Sequence, residues 1–215
     1  MSDGAVPSRL AVVAHEIRSP VAALAAIAAA YPGADDARRV RLLELALGAA
    51  AGIERLLAEV SAVSLRLEPV DVAQLVVDAV ETAALPERGC SLAAEVGDDL
   101  LVEGDSARLR QVLDNLIGNA IGHSPPGGEV RVTAARAGKT VVVEVADQGD
   151  GIAASDLERV FEPGVRLTSD RPGSGLGLAV ARAIAQAHGG GVEAVSTPGR
   201  GATFRLVLPG ASAAR

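Results

Sequence analysis

Two amphipathic patterns separated by one short breaker dominate the first third of the chain. Leu10, Val13, Ile17, Val21 and Leu24 recur at steps of three and four, the spacing that gathers side chains onto one stripe of an α-helix. A second helix, expected over roughly Asp35 to Leu65, repeats the pattern with Val40, Leu43, Leu47, Ala50, Leu57 and Val60. Between them, Tyr31-Pro32-Gly33-Ala34-Asp35-Asp36 combines a helix stop with aspartates suited to cap the next helix. The segment therefore reads as a helical hairpin. Two helices cannot enclose a core, so the stripe needs a second copy or another domain to cover it. A homodimeric four-helix bundle is the economical solution.

At Arg66-Leu67-Glu68-Pro69 the proline breaks the helical period. The reading is a first domain of residues 1–67 and a second of residues 68–215. The second is mixed. A helix is expected near Val72 to Ala84, with strands near Ser91 to Val96 and Leu100 to Glu103. Asp105 can cap a helix running to about Gly122, which Pro125-Pro126-Gly127-Gly128 ends before a strand from Glu129 to Ala135. Gly138-Lys139 turns that strand into Thr140 to Ala146. A short helix around Ser155 to Phe161 precedes a Gly/Pro-rich stretch from Glu162 to Gly175, and a further helix runs from about Leu176 to His188. Strands Gly191 to Val195 and Ala202 to Leu208 then flank a glycine-containing turn. The class is α+β: a helical hairpin followed by an α/β sandwich with helices on one face of a mixed sheet.

Composition narrows the function. At 215 residues with 49% apolar content and 22% charged, the chain can bury a sizeable core. A formal net charge of −7 gives no basic face for a phosphate backbone, so nucleic acid is a poor partner. The single Cys90 forms no internal disulfide, and one cysteine with three scattered histidines builds no structural zinc site of the usual kind. The longest apolar stretch, Val21 to Tyr31, is mostly alanine and falls short of the roughly 20 residues a membrane span needs. No secretory leader is apparent, so a cytoplasmic protein without direct membrane insertion is expected.

Two groups of residues carry candidate chemistry. At 100° per residue, His15 falls roughly 160° from the centre of the apolar stripe and is expected to face solvent. Most surface imidazoles are simply solvated, but the neighbours here are unusual. Glu16 can accept the proton of the ring nitrogen that does not attack, which raises the nucleophilicity of the other. Ser19 lies one turn on, and Pro20 removes a backbone donor and should bend the helix beside the histidine.

The second group lies in the mixed domain. Asn115 and Asn119 are four apart on one helix face, where paired amides can ligate a hydrated Mg²⁺. Asp147-Gln148-Gly149-Asp150-Gly151 follows a strand of valines. Asp147 can there accept a hydrogen bond from an adenine amino group while Gly149 and Gly151 let the backbone approach the base; the plainer alternative is an ordinary turn. Gly173-Ser174-Gly175-Leu176-Gly177-Leu178 opens a helix whose free N–H groups can hold phosphates. It is not a dinucleotide fingerprint, since no strand precedes it. Nor is it a P-loop, because the chain's only lysine, Lys139, sits in a hairpin turn. Arg166 and Arg171 are candidate phosphate contacts in the Gly/Pro-rich stretch.

The string His15-Glu16-Ile17-Arg18-Ser19-Pro20 resembles the phospho-acceptor box of sensor histidine kinases. Asn115 to Asn119, Asp147 to Gly151, Phe161-Glu162-Pro163 and Gly173 to Gly177 resemble, in this order, the N, G1, F and G2 boxes of their ATPase domain. Thr197 to Thr203 is similar to the last glycine box. The resemblance implies a Bergerat, GHKL-type ATP-binding fold, with residues 162–175 as a lid. It implies ATP and Mg²⁺ as cofactors, Asn119 as principal metal ligand with Asn115 nearby, and Asp147 on the adenine. His123 would stand where an aromatic ring is usual, and Phe161, Gly173, Gly175, Leu176, Gly177 and Thr203 would complete the ATP site. His15, Glu16 and Ser19 would be the catalytic set of an ATP:protein-L-histidine phosphotransferase. Such a kinase core is a homodimeric phosphoprotein that passes its phosphoryl group to an aspartate of a response regulator receiver domain, with input expected from a separate sensor protein or from sequence absent here. The chain departs from the pattern at Gly122, where the family usually has Lys or Arg, and at Ser19, where Thr or Asn is more usual. Rival readings are a phosphotransfer scaffold that has lost ATP binding and a GHKL-type ATPase or serine kinase. His188, before Gly189-Gly190, most simply caps its helix end.

Overall fold

The structure is a computed structural model that describes residues 9–61, 65–84, 89–167 and 175–211, without the side chains of 9–17, 44, 47, 51–52 and 54–61. Helix α1 (Arg9–Ala30) and helix α2 (Asp36–Ser61) form the hairpin, joined by a single 3-10 turn at Tyr31–Gly33. Asp35 caps the second helix through Arg38 N–H, which donates to Oδ1 at 2.8 Å. Ala34 is buried in the turn, and the Arg39 guanidinium lies 5.7 Å from the Tyr31 ring centroid. Elsewhere the hairpin leaves apolar surface bare: Val21, Val40, Leu43 and Leu45 are all exposed, Val40 by 58%. Pro20 sits inside α1, which continues through it. Among the described residues no helix is long and apolar enough to cross a membrane.

The rest is a two-layer sandwich. Strands β2 (Ser91–Val96), β4 (Glu129–Ala137), β5 (Thr140–Ala146), β7 (Ala202–Pro209) and β6 (Gly191–Ser196) form one sheet in that order. The β2–β4 pair is parallel and the others are antiparallel. Strand β5 shows why one face is covered: Val141, Val143 and Val145 are fully buried while Val142 and Glu144 alternate to the other face. Helices α3 (Val72–Ala83), α4 (Ser106–His123) and α5 (Gly177–Ala187) supply the second layer. Val76 and Ala79 of α3, Leu113, Leu116 and Ile117 of α4, and Ala181 and Ile184 of α5 meet the strands in one core with Phe204 and Leu206.

Local chemistry sets the limits of these elements. Asp71 caps α3 and Asp105 caps α4, each accepting backbone N–H groups of the first turn. The Asp105 carboxylate also accepts the Arg66 N–H at 3.1 Å. That bond is the largest influence on its pKa and holds it below the ordinary 3.8, with burial opposing and the Arg108 N–H and guanidinium adding to the depression. At its C-terminus α4 ends on Ser124, in extended backbone, as the following Pro125 demands.

Three details depart from the sequence reading. A strand β1 (Glu68–Asp71) pairs with β3 (Leu101–Gly104) as a separate two-stranded ribbon. The short helix expected near 155–161 is two 3-10 turns, Ala154–Asp156 and Arg159–Phe161. Strand β4 runs two residues further than expected, to Ala137, so that it pairs with all of β5 down to Thr140.

Candidate functional site

Helix α4 builds one wall of the main cavity. Its inner side is anchored by Leu113, Leu116, Ile117 and Ala120, all essentially inaccessible. The helical period therefore turns Asn115, Asn119 and His123, spaced by four, to the opposite flank. These three line a cavity of about 380 Å³ together with Gly122 and Gly118, within the range of small-molecule and cofactor sites.

The second wall comes from the end of β5. Asp147 is only 8% exposed and is tied to β7 by its own N–H, which donates to Ala202 carbonyl oxygen at 2.9 Å. Its Oδ1 accepts Gly149 N–H at 2.8 Å and Ala202 N–H at 3.1 Å. A buried carboxylate needs such donors. Both go to one oxygen, so among the described residues Oδ2 is left for a ligand. The loop is locked beyond this point as well. Gly201 N–H donates to Gly149 carbonyl oxygen at 2.9 Å, and Ser196 Oγ accepts Ile152 N–H at 2.8 Å while donating to Gly201 carbonyl oxygen at 2.6 Å.

Two glycines are required here for different reasons. Gly151 has φ +73° and its missing side chain faces the Thr197 carbonyl, so an L-residue would be strained and obstructed at once. Gly149 has an ordinary φ, but a Cβ would lie 2.5 Å from the His123 carbonyl oxygen. That close approach draws the Asp147 loop against the end of α4.

The third wall joins the residue after the 3-10 turns to the start of α5. Gly164 N–H donates to Gly175 carbonyl oxygen at 3.0 Å, which brings the two ends of segment 164–175 side by side. Gly177, the first residue of α5, lies so close to Asn115 that a Cβ would sit 3.4 Å from its Oδ1. Beneath, Phe161 meets Phe204 edge to face with ring centroids 6.2 Å apart. The Arg182 guanidinium covers the Phe161 ring at 4.6 Å and pairs with Glu158 at 2.9 Å.

Of the residues singled out from sequence, Asn115, Asn119, His123, Asp147, Gly151, Gly175 and Gly177 line the one cavity, as do Gly122 and Arg166. Gly149, Leu176 and Phe161 support it from behind. Thr203 does not face it: Ala202 and Phe204 line the cavity, so strand alternation sends Thr203 to the other side of the sheet. Gly173 and Arg171 lie outside the described residues. His15 and Glu16 lie on α1 with side chains outside those described, and Ser19 is exposed. Sequence reasoning missed the apolar lining from Ile152, Val160, Val165, Leu167 and Leu178 and the locking role of Ser196. Isolated apolar residues in loops carry no periodic signal, and a serine's partner across a turn is set by tertiary contact.

Amides and a polar pocket suit a divalent cation of the Mg²⁺ type, which keeps several waters and takes only one or two protein ligands beside substrate phosphates. Asn115 and Asn119 offer such a pair. A cation held by protein acids alone would need a different set, and among the described residues no three His, Cys, Asp or Glu side chains stand together.

A helical hairpin followed by a sandwich whose cavity lies between α4, the Asp147 loop and the start of α5 defines a nucleotide-binding ATPase architecture. Residues 104–212 match the histidine kinase-, DNA gyrase B- and HSP90-like ATPase family, and the chain belongs to it. Its named relatives within that family are sensor histidine kinases. Over 217 residues it is 36% identical to the sensor-like histidine kinase SenX3 of Mycobacterium tuberculosis, a match covering 93% of this chain and 53% of SenX3. The chain thus spans about half the length of that curated relative. Among solved structures it is similar to the mycobacterial sensor histidine kinase MprB, with TM-score 0.61 and 31% identity over 67% of this chain and 97% of the other. It is also similar to full-length ShkA in complex with AMPPNP, with TM-score 0.70 and 31% identity over 97% of this chain and 47% of that one.

Proposed function

We propose that the chain is the catalytic core of a two-component histidine kinase, which transfers the γ-phosphoryl group of ATP to its own His15 and then to an aspartate of a response regulator. The observation that carries this reading is the convergence of Asn115, Asn119 and the buried Asp147 on one cavity. In this reading residues 68–215 are the ATP-binding domain and residues 1–67 the dimerisation and phosphotransfer domain. Asp147 Oδ2 accepts from the adenine amino group, while Ile152, Val160, Leu178 and Phe204 cover the purine. Asn119, with Asn115 beside it, holds Mg²⁺, which when bound neutralises phosphate charge. Arg166 and the N–H groups at the start of α5 take the remaining phosphate oxygens. A catalytic carboxylate is absent from this part of α4. Asn115 cannot take a proton from water, which favours transfer over hydrolysis.

Phosphoryl transfer asks for positioning and charge neutralisation rather than covalent help from the protein. One ring nitrogen of His15 attacks the γ-phosphorus as the bond to the bridging oxygen breaks, and ADP leaves. Glu16 holds the proton of the other nitrogen, and Ser19 stands one turn away. The exposed Val21, Val40, Leu43 and Leu45 support a homodimer, since a lone hairpin leaves this apolar surface in water. ATP and a receiver domain as partners place the reaction in the cytoplasm.

The test is incubation with γ-labelled ATP and Mg²⁺, comparing the intact protein with His15→Gln. Acid-labile, alkali-stable label is expected on the former alone. Equal labelling of both removes His15 as acceptor.

A further inference from the structure

Away from the cavity, three segments meet at a polar node: residues 65–67 ahead of β1, the N-terminus of α4, and the C-terminus of α5. His188 follows α5 and is 9% exposed. Its Nδ1 lies 2.7 Å from Ile184 carbonyl oxygen, and its Nε2 lies 3.0 Å from Asp105 backbone nitrogen. A carbonyl only accepts and a backbone N–H only donates, so the ring carries its proton on Nδ1 and presents a bare Nε2 to Asp105. The backbone is close-packed here. A Cβ on Gly104 would sit 2.6 Å from Leu109 Cδ1 and 3.2 Å from His188 Cδ2.

With its N–H held by His188, Asp105 uses its two carboxylate oxygens for separate tasks. Oδ1 accepts Arg108 N–H at 3.1 Å and caps α4. Oδ2 accepts Arg66 N–H at 3.1 Å, across 39 residues of sequence. The depressed pKa of this carboxyl, with the Arg66 N–H as its largest cause, agrees with a bond that carries charge. On the other side, α4 runs from Asp105 to Asn115 and Asn119, about 15 and 21 Å along a single rigid helix at 1.5 Å per residue.

We infer that Asp105 is a positioning residue for phosphoryl transfer: by binding the Arg66 N–H through Oδ2 it fixes the point and direction at which the helical hairpin leaves the nucleotide-binding unit. This rests on the reading of His15 as acceptor. Without the bond, the first residue secured to that unit is Glu68, at the start of β1. The tether gains two residues, up to about 7 Å of reach. A longer, less directed tether lowers the effective concentration of the bound γ-phosphate at the imidazole. Turnover should fall about three- to tenfold, with nucleotide binding unaffected.

Chemistry allows the two tasks to be separated. In Asp105→Asn the side chain remains a good N-cap, since Asn and Asp rank equally there. Its one oxygen serves Arg108, and its NH₂ is left facing the Arg66 N–H, donor against donor. Arg66→Pro removes the same bond from the other side and leaves Asp105 intact. Arg66→Ala keeps the N–H and serves as control. The full chain is assayed for autophosphorylation kcat and KM for ATP, for affinity toward a fluorescent ATP analogue, and for amide hydrogen exchange at residue 66. Asp105→Asn and Arg66→Pro should each lower kcat three- to tenfold with KM and affinity within twofold of the parent, the double variant should be no worse than either, and Arg66→Ala should match the parent. Asp105→Asn should also speed exchange at Arg66 at least tenfold. Unchanged kcat in both variants, affinity that weakens in step with kcat, multiplicative loss in the double variant, or unaltered exchange overturns the inference. Failure of the acceptor reading shows separately, as label retained by His15→Gln, while the exchange measurement tests the bond whichever residue is labelled.

Discussion

Lysine at position 122 should tighten ATP binding, by an amount the geometry allows to be estimated. Gly122 lines the cavity one turn beyond Asn119, and a Cβ there meets no atom within 4 Å. The stem of a lysine can therefore extend along the wall without displacing anything. A hydrogen bond from an ammonium to a phosphate oxygen is worth about 1.5–3 kcal/mol, and ordering a lysine side chain costs up to about 2 kcal/mol. With screening in an open site, a net of about 1 kcal/mol remains, or roughly fivefold in Kd. A second effect is independent of nucleotide. Removing glycine from the helix should stabilise the free protein by up to about 1 kcal/mol, raising Tm by about 2–4 °C for a domain of this size. Gly122→Gln separates the two, since glutamine has similar helix propensity and no charge. Calorimetric titration of ATP, with melting curves of the nucleotide-free proteins, should show higher Tm in both variants and tighter binding in the lysine variant alone. The affinity gain should shrink as salt is raised. Equal Kd for lysine and glutamine would refute the reasoning, because the phosphates would then lie away from this end of α4.

Two further outcomes follow from the same structure. Asp147→Asn keeps an oxygen for the Gly149 and Ala202 N–H groups, so Tm should change little, whereas ATP affinity should fall by one to two orders of magnitude through loss of a charged acceptor worth about 1.5–3 kcal/mol; titration alongside a melting curve separates these. Asp105 has a folded pKa depressed below 3.8, so its contribution to stability is complete above that value and is lost as pH falls through the lower folded pKa. Urea midpoints from pH 6 down to about pH 2.5 should therefore decline less steeply for Asp105→Asn than for the parent, and identical slopes would count against the carboxylate.

Much of the scaffold is legible locally. Asp71 and Asp105 announce helix starts because the residues they cap lie two or three positions away. Strand β5 reads as a strand because its valines alternate with residues on the other face. Thr203 shows the cost of ignoring that same alternation, since its neighbours Ala202 and Phe204 are the residues that face the cavity. Strand β1 escaped notice because four residues with a proline have little strand propensity, and they pair with only one neighbour, β3. His188 is the clearest case of information absent from local sequence. A histidine before two glycines already makes sense as the end of a helix, and its bond to Asp105 spans 83 residues. The polar half of the cavity was visible because amides, carboxylate and glycines cluster at telling spacings; its apolar half waits on which loops meet.

The bond between Gly164 and Gly175 pinches the chain into a neck, and this frees the stretch beyond it to vary. Closing a loop costs entropy only as the logarithm of its length, about 0.6 kcal/mol for each doubling. Segments of quite different size and sequence can therefore be spliced in above the neck while Asn115, Asp147 and Gly177 keep their places. The neck itself has no such latitude: a methyl group on Gly175 would press within 2.8 Å of Gly164 carbonyl carbon and Val165 oxygen. Diversification among relatives, and grafting by design, should accordingly respect the two glycines and be permissive between them.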